Sequence, residues 1–114
     1  MTYLWDTHAL IWALENDPQL PAAARKAAAQ RGENAVCGIS LWEVACLVDK
    51  KRIKFSIPLA GWMREVTQRM PVLNITGDIA ARCYALGKFY GDPADRIITA
   101  TALVHDLTII TKDE

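Results

Sequence analysis

Four short apolar runs divide this chain, with longer amphipathic stretches between them. Tyr3–Trp5, Ala35–Ile39, Val72–Ile75 and Leu107–Thr111 are too short for buried helices and rich in β-branched or aromatic residues, so each predicts a strand. Asp6 and Thr7 offer a cap after the first run, and the pattern from His8 to Asn16 predicts a helix. Ala22–Gln30 is rich in alanine with arginine and lysine, a composition of high helix propensity, and Gly32 and Asn34 end it. Ser40 opens a helix that reaches about Lys51, and Pro58 fits the first turn of another that reaches about Arg69. Thr76 and Asp78 start a helix that ends near Leu86 and Gly87. A loop at 88–91 leads to Asp92-Pro93, a strong start for a helix running to about His105. The order is strand, two helices, repeated three times, then a final strand. Crossovers of that length predict a parallel α/β sheet in a single domain spanning 1–114, with no repeat, low-complexity stretch or linker.

In such sheets ligands bind beyond the carboxyl ends of the strands. Asp6 directly follows the first strand and Asp113 the fourth. Glu43 stands one helical turn beyond the second, and Asp95 lies in the first turn of the helix feeding the fourth. The topology therefore carries all four acids to one edge. At an effective dielectric of about 20, unit charges about 5 Å apart repel by roughly 3 kcal/mol, so such a cluster calls for a cation. Carboxylate-bound Mg²⁺ or Mn²⁺ points in turn to phosphate chemistry.

Each acid also has a purely structural use. Asp6 can cap the helix that follows it. Ser40-Leu41-Trp42-Glu43 has the form of a capping box. Asp92-Pro93-Ala94-Asp95 matches a cap, a proline at the first helical position and an acid in the first turn. Asp113 can be an exposed terminal residue. The two uses are compatible, because a helix N-terminus favours the ionised carboxylate that a metal requires. His8, alone in the first turn of an apolar helix, reads as a packed or exposed residue rather than a base. Thr7 and Thr111 read equally as cap or turn hydroxyls and as partners of the carboxylates.

Composition narrows the chemistry. The chain has 114 residues and is 52% hydrophobic, enough for a core. Its 13 basic and 13 acidic residues balance, which argues against strong non-specific nucleic-acid binding by the molecule as a whole. Two basic clusters, Lys50, Lys51, Arg52 and Lys54, and Arg25, Lys26 and Arg31, read as solvated helix faces or helix C-termini. Cys37, Cys46 and Cys83 lie in apolar segments without a C-x-x-C pair, as expected of reduced thiols in the cytoplasm. There is no signal-peptide pattern and no apolar run of the length needed to span a bilayer. Phosphate-binding glycine loops, H-E-x-x-H and G-x-S-x-G are absent from the sequence, and its two histidines lack metal-site spacing.

DTHALIW after the first strand, ISLWEVACL, GDPADRIITATALVHDLTIIT and the following TKDE resemble, in order and spacing, the PIN-domain ribonucleases. The likeness is nearest to the toxins of virulence-associated (VapBC-type) toxin–antitoxin pairs and covers nearly the whole chain. It implies a PIN-like α/β fold with a parallel sheet in the order 3-2-1-4-5, and an acidic site for Mg²⁺ or Mn²⁺. It also implies single-stranded or structured RNA as substrate, cut to 5′-phosphate and 3′-hydroxyl ends, a homodimer, and a cognate antitoxin that blocks the site. The four family acids map to Asp6, Glu43, Asp95 and Asp113, as catalytic and metal-binding residues. Asp92 occupies a position often acidic in the family, and Thr7, Ser40 and Thr111 match small hydroxyl positions beside the acids.

The family usually continues beyond the fourth acid with a short helix and a last strand, whereas this sequence stops at Glu114. The expectation is a sheet of order 3-2-1-4 with the fifth strand missing and Leu107–Thr111 left as an apolar edge. The sequence thus predicts a metal-dependent endoribonuclease. Asp6, Glu43 and Asp95 form its core, Asp113 assists, and Thr7, Ser40, Arg96, Thr111, Lys112 and the Lys50–Lys54 cluster are candidates to meet substrate. The alternative is a catalytically compromised PIN-like module that binds an antitoxin or a dimer mate, with Trp12, Trp42 and Trp62 as an aromatic contact patch.

Overall fold

Three residues near the start of the chain organise the sheet. In the computed structural model, which describes residues 1–87 and 92–112, Tyr3–Trp5 forms strand β1. It pairs in parallel with β2 (Asn34–Cys37) on one side and β4 (Thr108–Ile110) on the other. β3 (Val72–Leu73) extends the sheet beyond β2, giving the parallel order β3-β2-β1-β4 that the sequence predicts. Helices fill the crossovers: α1 (Thr7–Leu14), α2 (Ala22–Ala28), α3 (Gly38–Asp49), α4 (Leu59–Arg69), α5 (Gly77–Leu86) and α6 (Pro93–His105).

Alternation along β1 and β2 divides the core between the two faces of the sheet. Trp5 and Val36 pack with Leu10, Val44, Trp62 and Val66 from α1, α3 and α4. Leu4, Ala35 and Cys37 pack with Ile98 and Ala102 of α6 on the other face. Trp62 stacks on Phe55 at 4.6 Å between ring centroids, and its indole N–H donates to Glu15 Oε2 at 3.2 Å. Buried Asn34 accepts from the Trp5 indole at 2.8 Å and donates to the carbonyls of Ala27 and Gln30. It thereby ties the end of α2 to the sheet.

Two local expectations are corrected. β2 ends at Cys37 and α3 begins at Gly38, so Ser40 lies inside the helix rather than at its cap. The cap is Cys37, which makes no side-chain cap bond, and the Ser40–Glu43 capping box does not form. Glu43 is engaged by another helix instead. β3 is shorter than Val72–Ile75, because Asn74 and Ile75 are exposed and lead to Thr76, whose hydroxyl caps α5 at the Ile79 N–H. The 88–91 loop and Asp113 lie outside the described residues.

Candidate active site

Asp6, Asp92 and Glu43 are held by different local devices. The Asp6 N–H donates to the Ile110 carbonyl at 3.0 Å, which continues the β1–β4 ladder by one residue. Asp6 Oδ1 then accepts from the Ala9 N–H at 3.0 Å as the N-cap of α1. Asp92 caps α6 in the same way, accepting from the Asp95 N–H at 2.8 Å with Pro93 at the first helical position. Both caps are as the sequence predicts. Glu43, on the second turn of α3, accepts a hydrogen bond from the buried Thr7 hydroxyl of α1.

Charge couples these groups. Burial raises the Glu43 pKa above the usual carboxylate value, and Asp92 and Asp95 raise it further, against lowering by the Thr7 bond and by His8. Burial likewise raises Asp95, Asp92 adds to the rise and His8 opposes it. Glu43, Asp92 and Asp95 thus share one electrostatic neighbourhood, and Thr7 links it to the helix that Asp6 caps. His8, which the sequence treats as merely packed or exposed, is exposed and acts electrostatically on both Glu43 and Asp95. Its place two residues after Asp6 was the only signal for this.

The other candidates are scattered in role. Thr7 is 5% exposed and its hydroxyl is committed to Glu43, so it orients an acid. Ser40 is fully buried, and its hydroxyl has no partner among the described residues. It has no surface to offer a substrate. Arg96 is half-buried, with its Nε lacking a partner among the described residues. Thr111 is half-buried and Lys112 exposed, directly beyond β4. Of the three tryptophans expected in an aromatic patch, Trp62 is buried, Trp12 half-buried and Trp42 exposed, so no patch of three forms.

Oxygen donors of this kind suit a hard divalent cation. Among the described residues no group of three or more His, Cys, Asp and Glu side chains is arranged to hold a metal ion. Mg²⁺ is commonly held by only one or two carboxylates with several waters retained, an arrangement that needs no such group.

A parallel sheet with helices on both faces and carboxylates at its carboxyl edge defines the class, an α/β protein whose candidate site lies beyond the strand ends. The chain belongs to the PIN-domain family, whose profile matches residues 3–114. It is 38% identical over 113 residues to Ribonuclease VapC22 of Mycobacterium tuberculosis, spanning 98% of this chain and 87% of that one. Its structure is similar to a toxin–antitoxin complex from Klebsiella pneumoniae, with a TM-score of 0.71 and 30% identity over 96% of this chain and 85% of that one. VapBC2 from Rickettsia felis, bound to a promoter DNA fragment, shares the fold at a TM-score of 0.66 and 17% identity, over 96% of this chain and 85% of that one. No helix among the described residues is long and apolar enough to cross a membrane.

Proposed function

We propose that this protein is a metal-dependent endoribonuclease, the toxin of a toxin–antitoxin pair. It hydrolyses RNA phosphodiester bonds in the cytoplasm as a homodimer and is held in check by a cognate antitoxin. The observation that carries the reading is the Thr7 hydrogen bond that ties Glu43 to the helix capped by Asp6, with the charges of Asp92 and Asp95 bearing on Glu43. The relative named as a ribonuclease and the toxin–antitoxin complex with the same fold support it.

Of the four acids expected at the metal, Asp6, Glu43, Asp95 and Asp113, one or two would hold Mg²⁺ or Mn²⁺ directly, with water completing the coordination. When bound, the ion would supply positive charge for the phosphate oxygens and would acidify water for attack. The chain's own part is to orient the acids. The Ala9 N–H fixes one oxygen of Asp6, and the Thr7 hydroxyl fixes one oxygen of Glu43. Arg96, Lys112 and the Lys50–Lys54 cluster are the cations available to backbone phosphates.

Calorimetric titration with Mn²⁺, paired with cleavage of a labelled RNA pool, tests the reading. The wild type binds the ion and cleaves. Asp6→Asn loses both with an unchanged melting temperature, because asparagine still offers an oxygen to the Ala9 N–H. Undiminished cleavage by Asp6→Asn overturns the assignment, and ion binding without any cleavage by the wild type leaves an interaction module instead.

A further inference from the structure

Trp42 is 61% exposed, whereas Trp5 and Trp62 are essentially inaccessible. Tryptophan is highly buried on average, so an open indole next to Glu43 calls for an account. Its side chain walls a surface groove of about 320 Å³ shared with Thr7, His8, Glu43, Lys50 and Arg52. The groove starts at Glu43 and runs along α3 to its C-terminal end. Glu43 and Lys50 are seven residues apart, about 10 Å along the helix axis. Trp42 and Lys50 fall on one stripe of that helix. Lys51 then adopts a left-handed conformation (φ 59°), and the Arg52 N–H turns back to the Leu47 carbonyl at 2.9 Å, which holds Arg52 beside Lys50. No carboxylate forms an ion pair with Lys50, Lys51, Arg52 or Lys54 among the described residues.

We propose that this groove seats a single-stranded segment of RNA, with one base stacked on Trp42 and the adjoining phosphates on Lys50 and Arg52. The inference rests on the ribonuclease reading and adds the side from which substrate approaches the acids. An aromatic face followed by unpaired cations is how single strands are held, since every base offers a stacking face and the backbone needs only charge. A duplex keeps its base faces covered, so Trp42 selects for strandedness rather than for one base. The molecule's net charge is zero, so attraction for the backbone has to be local, and this groove supplies it. Its volume is at the lower end of the range for small-ligand sites, about 300 Å³, which suits a nucleotide.

The test uses the full chain and labelled single-stranded and hairpin RNAs. Binding is read by anisotropy in EDTA, and cleavage by steady-state kinetics with Mn²⁺. Trp42→Ala weakens single-strand binding and raises KM by roughly tenfold or more, with kcat little changed, while Trp42→Tyr retains most of both. Lys50→Ala and Arg52→Ala each lower the salt slope of binding by about 0.7. Cleavage by the wild type with unaltered binding and KM in Trp42→Ala overturns this inference alone. Failure of the wild type to cleave any RNA overturns the ribonuclease reading, and this one with it. Unaltered RNA binding in Trp42→Ala, together with lost affinity for a co-expressed antitoxin, assigns the indole to a protein contact and also overturns it.

Discussion

The Thr7 hydroxyl donates to Glu43 Oε1 across 36 positions of sequence, joining the first turn of α1 to the second turn of α3. Asp6 immediately precedes Thr7, so this one bond relates two acids that arrive on different helices. Thr7→Val keeps the shape and removes the donor. The expected outcome is about a tenfold loss in kcat/KM for RNA cleavage, with thermal stability lowered by about 1 kcal/mol, and recovery in Thr7→Ser. Equal activity in the valine and serine variants would show that the bond positions nothing.

The raised pKa of Glu43 has a consequence for stability. A carboxyl whose pKa is higher folded than unfolded stabilises the fold while protonated. That contribution is complete below the unfolded value, about 4.3 for glutamate, and is lost as pH rises through the folded value. Metal-free Glu43→Gln, which can still accept from Thr7, is therefore more stable than the wild type at pH 7. The difference shrinks to nothing in acid. Urea unfolding in EDTA across this range measures it, and Mn²⁺ narrows the gap at pH 7 by stabilising the wild type. A gap independent of pH would contradict the electrostatic account.

Asp92 combines a cap with a charge, and the two can be separated. Asp92→Asn keeps an acceptor for the Asp95 N–H and removes the repulsion felt by Glu43 and Asp95. It should unfold at nearly the wild-type urea concentration, while titration of the Glu43 and Asp95 carboxyls, followed by NMR, moves down toward ordinary values. Asp92→Ala makes the same electrostatic change and loses about 1 kcal/mol of stability besides.

Asn34 satisfies three groups at once, the Trp5 indole and the carbonyls of Ala27 and Gln30. Asn34→Ala leaves all three without that partner and should cost about 2–4 kcal/mol in chemical denaturation. Asn34→Asp costs more, since its carboxylate would face two carbonyl oxygens. A loss below about 0.5 kcal/mol in the alanine variant would mean that water replaces the amide freely.

Much of this architecture is legible in the chain because local signals agree with the global fold. Tyr3–Trp5 stands between turn residues, Asp92-Pro93 writes a helix start in its own chemistry, and the alternation of short apolar runs with helices dictates parallel crossovers. The errors fall where tertiary contacts override a local pattern. Ser40-Leu41-Trp42-Glu43 spells a capping box, yet the chain passes from β2 into α3 two residues earlier, and the Glu43 carboxylate finds Thr7 of a helix remote in sequence. The influence of Asp92 and His8 on Glu43 was equally invisible, because it depends on how α1, α3 and α6 converge. The exposure of Trp42 beside the burial of Trp62 is likewise set by packing, not by residue type.

β1 passes directly into Asp6 with no intervening residue. Leu4 and Trp5 serve opposite cores, and the next backbone N–H is already bonded to Ile110. Adding or deleting one residue here would transpose the two cores and displace the acid together. The turn after α1 is under no such constraint, with Glu15, Asn16, Pro18 and Gln19 all exposed. Length variation, whether in descendants of this chain or in reporter insertions made at the bench, is tolerated at that turn and refused at Trp5–Asp6.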